Sequence, residues 1–289
     1  MSASEELFSC AGLRFGRFRC EPRDPLWGDD NRIGPWPLIA FPGTPVEILQ
    51  ADRPAIVATP LCVVLYNAEQ VYRRRLVDHR GDHCAFLSFD PRHLGESDDK
   101  RPFGLSCAPL APRDRLSQLL LLRLVSAPWD LEEPLLMIES LLALLDRVLH
   151  TRRTATTTEE PPRILARHRG LARAIARHLA QTFDRREGLG EIAAAVGVSS
   201  AHAARVFRRI LGRTIHDYRS ALRLHAILDR LADPRLDLSA AALDAGFSSH
   251  SHMTSTFRQV FGAPPSIWRE RLRRGDTQAL RELLMPRPA

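Results

Sequence analysis

Apolar positions alternate with polar ones along much of the first 110 residues and recur every three to four residues from about 113 onward, so the period changes once along the chain. In the first part, 13–18 alternates apolar residues with Gly and Arg, and further strand-like runs follow at 38–41, 46–49, 55–66 (rich in β-branched residues), 71–77 and 84–89. Turn residues separate them, among them Pro22, Pro25, Gly34 and the triplet Arg80-Gly81-Asp82. Short strands at this spacing predict a small sandwich or barrel. Leu116, Leu119, Leu120, Leu122 and Leu124 predict a helix that Pro128 breaks, and a second leucine-rich helix is predicted over 131–149. Their leucines cover more than one helical face, wider than a surface helix shows, which suits packing against the strands. Residues 151–162, Thr- and Pro-rich without a period, read as a linker. Residues 164–183 are predicted to form the next helix, with Leu171, Ile175 and Leu179 four apart, and 276–289 a short helical pattern ending in a tail at Pro286 and Pro288.

Residues 189–212 carry two short helical patterns that meet at Gly197-Val198-Ser199. Ile192, Ala193 and Val196 share a face of the first, and Ala203, Val206, Phe207 and Ile210 a face of the second. Gly197 can adopt the positive φ of a tight inter-helix turn, and Ser199 is a suitable N-cap. This is the pattern of a helix-turn-helix, whose second helix can enter a DNA major groove. The pattern returns over 238–262: Gly246 lies 49 residues after Gly197, while Phe257 and Gly262 lie 50 after Phe207 and Gly212. A repeat that preserves turn, core and end is far more specific than one hairpin. Residues 215–232, free of internal Pro and Gly, predict an 18-residue connecting helix of about 27 Å.

On these residues the segment 163–274 resembles the DNA-binding domain of the AraC/XylS family of bacterial transcription regulators. The matching features are Glu191-Ile192-Ala193, Phe207-Arg208-Arg209, Gly246-Phe247-Ser248-Ser249, Phe257-Arg258, and the run from Phe261 through Gly262, Ala263, Pro264, Pro265 and Ser266 to Trp268. The order of elements, β-rich half first, resembles family members with a cupin-like N-terminal barrel that binds an effector. The resemblance therefore implies an α+β two-domain protein: a β-rich sensing and dimerisation domain over 1–150 with leucine-rich helices at 113–149, a linker at 151–162, an all-α domain with two helix-turn-helix motifs over 163–275, and a tail at 276–289. It also implies a homodimer, a small-molecule effector, and RNA polymerase as a further partner.

Charge sharpens this division. The chain carries +7, but residues 163–275 hold 20 Arg against 9 acids, a net of +11, and the remainder is net −4. A polyanion partner is thus favoured for the repeat-bearing half alone. Arginine richness itself is shared with the acidic half and says little; Lys100 is the lone lysine. Cys10, Cys20, Cys62, Cys84 and Cys107 are widely spaced without a C-x-x-C, which argues against a disulfide framework or zinc ribbon. No signal-peptide-like run opens the sequence and no 18 apolar residues run together, so a cytoplasmic protein without a membrane span is expected.

Candidate chemistry concentrates on the two second helices, predicted at 200–210 and 249–260. With Ala203, Val206 and Phe207 inward, Ala201, His202, Ala204 and Arg205 face outward on the first. Arg205 is the best base reader, since Arg can bond guanine O6 and N7 together. With Met253 and Phe257 inward, His250, Ser251, Thr254 and Ser255 remain outside on the second, at positions that match the family's base contacts. Two departures stand out: Ala201 and Ala204 give the first helix few polar contacts, and the counterpart of Arg205 is the shorter Ser255. Arg208, Arg209 and Arg258 are expected to hold phosphates. His79, His83 and His93 with Cys84 make no convincing metal set, because His83 and Cys84 alternate faces; no metal and no cofactor is expected. Arg73-Arg74-Arg75 likewise alternate and make no single patch. With no G-x-S-x-G, H-E-x-x-H or P-loop, no catalysis is expected. The reading is a sequence-specific DNA-binding regulator, activator or repressor, with two helices in successive major grooves. The alternative is an effector-binding, cupin-like dimerisation protein with no specific DNA target.

Overall fold

A computed structural model of the protein describes residues 3–51, 53–94, 101–126, 134–153 and 162–284. It divides into two compact units, residues 1–155 together with 266–289, and residues 156–265. The predicted linker lies largely outside the described residues, as do the Pro128 break and the terminal Pro286 and Pro288.

Among the described residues the first unit holds ten strands: β1 (Ala3–Cys10), β2 (Leu13–Cys20), β3 (Asn31–Arg32), β4 (Leu38–Pro42), β5 (Val46–Gln50), β6 (Ile56–Ala58), β7 (Cys62–Tyr66), β8 (Val71–Leu76), β9 (Asp82–Phe89) and β10 (Cys107–Pro109). They pair antiparallel into a six-stranded sheet, β1-β2-β9-β4-β7-β10, and a four-stranded sheet, β3-β8-β5-β6. Edges β1 and β10 of one sheet and β3 and β6 of the other stay apart, so both sheets are open. Of the expected cupin-like barrel or sandwich, the described strands build two open sheets and no closed barrel. The single run expected at 55–66 splits into β6 and β7, because Thr59-Pro60-Leu61 turns the chain, with Cys62 N–H donating to the Thr59 carbonyl at 3.1 Å. Proline at 60 disfavours a continuous ladder there.

The two faces of the six-stranded sheet differ. Leu13, Phe15, Leu87 and Phe89, with Ile39 and Leu65, are 0% exposed on one face. Helices α1 (Pro112–Ser126) and α2 (Pro134–Arg153) cover it, since α1 meets β1 and α2 meets β10 at the sheet's opposite edges. The other face lies toward the four-stranded sheet, where Ala40, Val46, Ile48, Ala58, Val64 and Tyr66 form one cluster. Two C-terminal helices follow the second unit, α9 (Pro265–Arg274) and α10 (Thr277–Leu284). α10 packs on α1 and α2. Arg147 Nη1 donates to the Leu283 carbonyl at 2.6 Å, Arg113 donates to the Glu282 carbonyl, and Arg147 is paired with buried Asp114 at 2.6 Å. Guanidinium groups thus satisfy carbonyls that a helix end leaves without partners.

The described residues of the second unit form helices alone: α3 (Pro162–Thr182), α4 (Leu189–Ala195), α5 (Ser200–Leu211), α6 (Ile215–Leu228), α7 (Leu238–Asp244) and α8 (His250–Phe261). Ile175 and Leu179 of α3 are fully buried, as are Phe207 of α5 and Phe257 of α8. The connecting helix α6 is 14 residues rather than the 18 expected, about 21 Å long. Its helical pattern stops because the chain tightens into turns, Arg230 N–H to the Ile227 carbonyl and Leu231 N–H to the Leu228 carbonyl, that tuck Leu231 fully inside. Periodicity continues there while the helix does not.

Candidate nucleic-acid interface

Each of the two helical hairpins is set by a glycine and a cap. Gly197 takes φ +71° between α4 and α5, and Gly246 takes φ +85° between α7 and α8, where a side chain costs about 1–2 kcal/mol. Ser199 accepts from His202 N–H at 3.3 Å and Ser249 from His252 N–H at 3.2 Å, so a hydroxyl caps the second helix of each hairpin. Asp237 caps α7 in the same way, accepting from Ser239 N–H at 2.7 Å.

The caps fix which side chains point outward. On α5, Ala203, Val206 and Phe207 are buried, while Ala201, Arg205, Arg208 and Arg209 are exposed and His202 and Ala204 half-buried. The His202 ring lies 6.1 Å from that of His168 on α3, at the flank of this face. On α8, Met253, Phe257 and Phe261 are buried, His250, Ser251, Ser255 and Arg258 exposed, and Thr254 half-buried. Thr254 Oγ1 lies 3.5 Å from His250 Nε2, so these two side chains are held together one turn apart. Among the described residues Arg205, Arg208 and Arg258 have no hydrogen-bond or ion-pair partner, which leaves their charges available on the surface. The side chains singled out from the sequence therefore form one outward face on each helix.

The hairpins rest on a support that the sequence did not reveal. α6 sends Arg223 to the carbonyls of Phe183, at 2.6 Å from Nε, and Arg185, at 2.8 Å from Nη2, and sends Arg219 Nη1 to the Glu187 carbonyl at 2.5 Å. Burial and the neighbouring Arg219 push the Arg223 guanidinium below its ordinary value. Gly246 closes against the same segment: a Cβ there would sit 2.3 Å from the Asp184 carbonyl oxygen. Glu187 accepts from Thr182 Oγ1 and meets His178 Nε2, each at 2.8 Å. Against the burial that would raise it, these bonds hold its carboxyl below the usual range. The 183–187 turn is thus the anchor that the second hairpin and α6 share. Its acceptors are backbone carbonyls, which leave no mark in a sequence.

In the first unit the histidines stand apart. His93 Nε2 lies 2.8 Å from the Ala11 carbonyl, His83 faces Glu21 at 3.8 Å, and His79 is exposed.

A helix-turn-helix domain family matches residues 192–271, which takes in both hairpins. The melibiose operon regulatory protein of Escherichia coli (strain K12) is 28% identical over 92 residues, 32% of this chain and 30% of that protein. The match thus spans less than a third of the curated relative. Among solved structures, an AraC-type transcriptional regulator from Chromobacterium violaceum aligns at 26% identity and TM-score 0.35, over 37% of this chain and 96% of that one. ToxT from Vibrio cholerae aligns at 7% identity and TM-score 0.36, over 90% and 98%. The helical unit is a DNA-binding domain of the helix-turn-helix class. The similarity to AraC-type regulators is carried by this segment of the chain.

Proposed function

We propose that the protein is a sequence-specific transcription regulator that places α5 and α8 in successive major grooves of double-stranded DNA, under the control of a small molecule bound by its N-terminal β-rich domain. The observation that carries this is the paired outward face: two capped helices, each behind a left-handed glycine, presenting unpartnered arginines on a segment of net charge +11. Arg205 reads guanine, with Ala201, His202 and Ala204 along the same groove. His250, Ser251, Thr254 and Ser255 read the second box, and Arg208, Arg209 and Arg258 clamp phosphates. In this reading residues 1–150 sense and dimerise, 163–275 bind DNA, and the regulator works in the cytoplasm as a homodimer that engages RNA polymerase. Among the described residues no helix is long and apolar enough to cross a membrane.

Fluorescence anisotropy of the intact protein on duplexes selected from a random pool tests it. With about six phosphate contacts, affinity should fall on the order of a thousandfold between 50 and 200 mM salt, and selection should return two boxes in a fixed spacing. No duplex binding at 50 mM salt, or binding with a flat salt response, rejects the reading.

A further inference from the structure

Helix α3, which precedes both hairpins, carries positive charge that its own sequence does nothing to balance. From 163 to 183 there is no acidic residue, while Arg163, Arg167, Arg169, Arg173 and Arg177 are joined by His168 and His178. Arg163 and Arg167, Arg169 and Arg173, and Arg173 and Arg177 stand four residues apart, so like charges meet on successive turns. Each such pair weakens a helix. On α9 the arginines are matched instead: Arg273 and Arg274 share Glu270, and Arg271 meets Asp276.

α3 also runs on past the body that supports it. Ile175 and Leu179 on its inward stripe are 0% exposed, Leu171 and His168 are half-buried, and Ile164, on the same stripe, is 46% exposed. This overshooting half lies beside the first turn of α5, where the His168 and His202 rings stand 6.1 Å apart. Arg163, Arg167 and Arg169 are exposed here, with no hydrogen-bond or ion-pair partner among the described residues. Burial against the unit therefore explains the C-terminal half of α3 and leaves the N-terminal half without a structural task.

We propose that the N-terminal half of α3 is a third DNA-contacting element, in which Arg163, Arg167 and Arg169 hold phosphates beside the base pairs that α5 reads. The proposal rests on the DNA-binding reading and extends its footprint beyond the two hairpins. Helical spacing puts Arg163 and Arg167 on one side of the stripe that faces α5, and Arg169 on the other. A helix in a major groove likewise has a phosphate strand on either side of it. The phosphates supply the counter-charge that α3 lacks, and a guanidinium takes a phosphate through two parallel N–H bonds. Such contacts add affinity and fix register without reading sequence.

Salt-dependent anisotropy of the intact protein on duplexes selected from a random pool tests this, comparing wild type with a variant that combines Arg163→Gln, Arg167→Gln and Arg169→Gln. Glutamine keeps helix propensity close to that of arginine. With two or three phosphate contacts removed, the slope of log affinity against log salt should flatten by about two to three, so the advantage of wild type should shrink at least tenfold between 50 and 200 mM salt. Base preference in both boxes should stay the same, and the melting temperature should hold or rise as like charges are relieved. Neutral methylphosphonates bordering the box whose base preference depends on Arg205 should weaken wild type and leave the variant nearly unaffected; beside the other box they should weaken both alike. Equal salt slopes, equal sensitivity to the methylphosphonates at the first box, or a variant that loses affinity together with thermal stability overturns the proposal. Wild type that binds these duplexes while the variant matches it removes only the role of α3. Wild type that binds no duplex removes the DNA-binding reading and the proposal with it.

Discussion

Gly197 and Gly246 hold the same place in the two hairpins, yet alanine at each should have different costs. Both adopt a positive φ, +71° and +85°, so alanine meets about 1–2 kcal/mol of backbone strain at either. Loss of unfolded-state freedom offsets roughly 0.4–1 kcal/mol of that. At Gly197 nothing lies within 4 Å of the added Cβ, and Gly197→Ala should cost about 1 kcal/mol. At Gly246 the Cβ would lie 2.3 Å from the Asp184 carbonyl oxygen and 2.9 Å from Arg223 Nη2. Backbone on one side or the other must retreat by about 1 Å to restore ordinary contact. That retreat loosens the bonds from Arg223 to the carbonyls of Phe183 and Arg185, and hydrogen bonds to a charged group contribute about 1.5–3 kcal/mol each. Gly246→Ala should therefore cost about 3–5 kcal/mol. Hydrogen exchange by mass spectrometry on the intact protein reads both quantities. Gly246→Ala should accelerate exchange across 183–187 as well as around its own turn, whereas Gly197→Ala should affect only its own hairpin. Equal destabilisation by the two substitutions, or unchanged protection at 183–187 in Gly246→Ala, would refute the shared-anchor account.

Four further outcomes are expected. Arg205→Ala should lose discrimination at one or two base pairs, roughly 1–3 kcal/mol on the selected site and little on random duplex, while Arg209→Ala weakens both alike; equal loss in both mutants on both DNAs would make Arg205 a phosphate contact. Inserting about five base pairs between the two boxes should abolish specific binding in a gel shift, because the 14-residue α6 cannot lengthen, and a full-turn insertion should not restore it; recovery at a full turn would show hairpins that move independently. Asp82, raised by burial to about 6, binds its proton more tightly folded than unfolded, so this contribution is fully present below about pH 4 and is lost as pH rises through 6. Urea melts should show about 3 kcal/mol less from it at the upper end, and Asp82→Asn should flatten that slope. Arg147→Met should leave the Asp114 carboxylate buried without this partner and release the Leu283 carbonyl, costing about 3 kcal/mol and exposing α10 to exchange; an unchanged α10 would mean that its apolar contacts alone hold it.

The helical unit was legible because its signals are local. A glycine, a capping hydroxyl and three or four inward side chains define each hairpin, and repetition at 49–50 residues removes the ambiguity of one. The end of α6 was not legible, since Leu231 keeps the helical period while the chain has already turned. In the β-rich part, β1 is an edge strand that seals little beyond Phe8, so its sequence shows no alternation. Alternation did show that the three arginines on β8 cannot share a face. It could not show that the inward one, Arg74, would reach Asp82 on the other sheet, because that meeting depends on how two sheets stack. Nor could any pattern reveal Arg219, Arg223 and Arg147 as partners of carbonyls, whose positions are set by the fold.

The return of residues 266–289 to the first unit makes the helical unit an insertion, entered and left through one and the same body. A chain anchored at both ends behaves differently from one hanging by a single thread. Closing a loop of about 110 residues costs roughly 4 kcal/mol when the loop is flexible, and little when its folded ends already stand at the right separation. The contacts that seat α10, from Arg113 and Arg147, lie within the first unit and hold the far end of that loop.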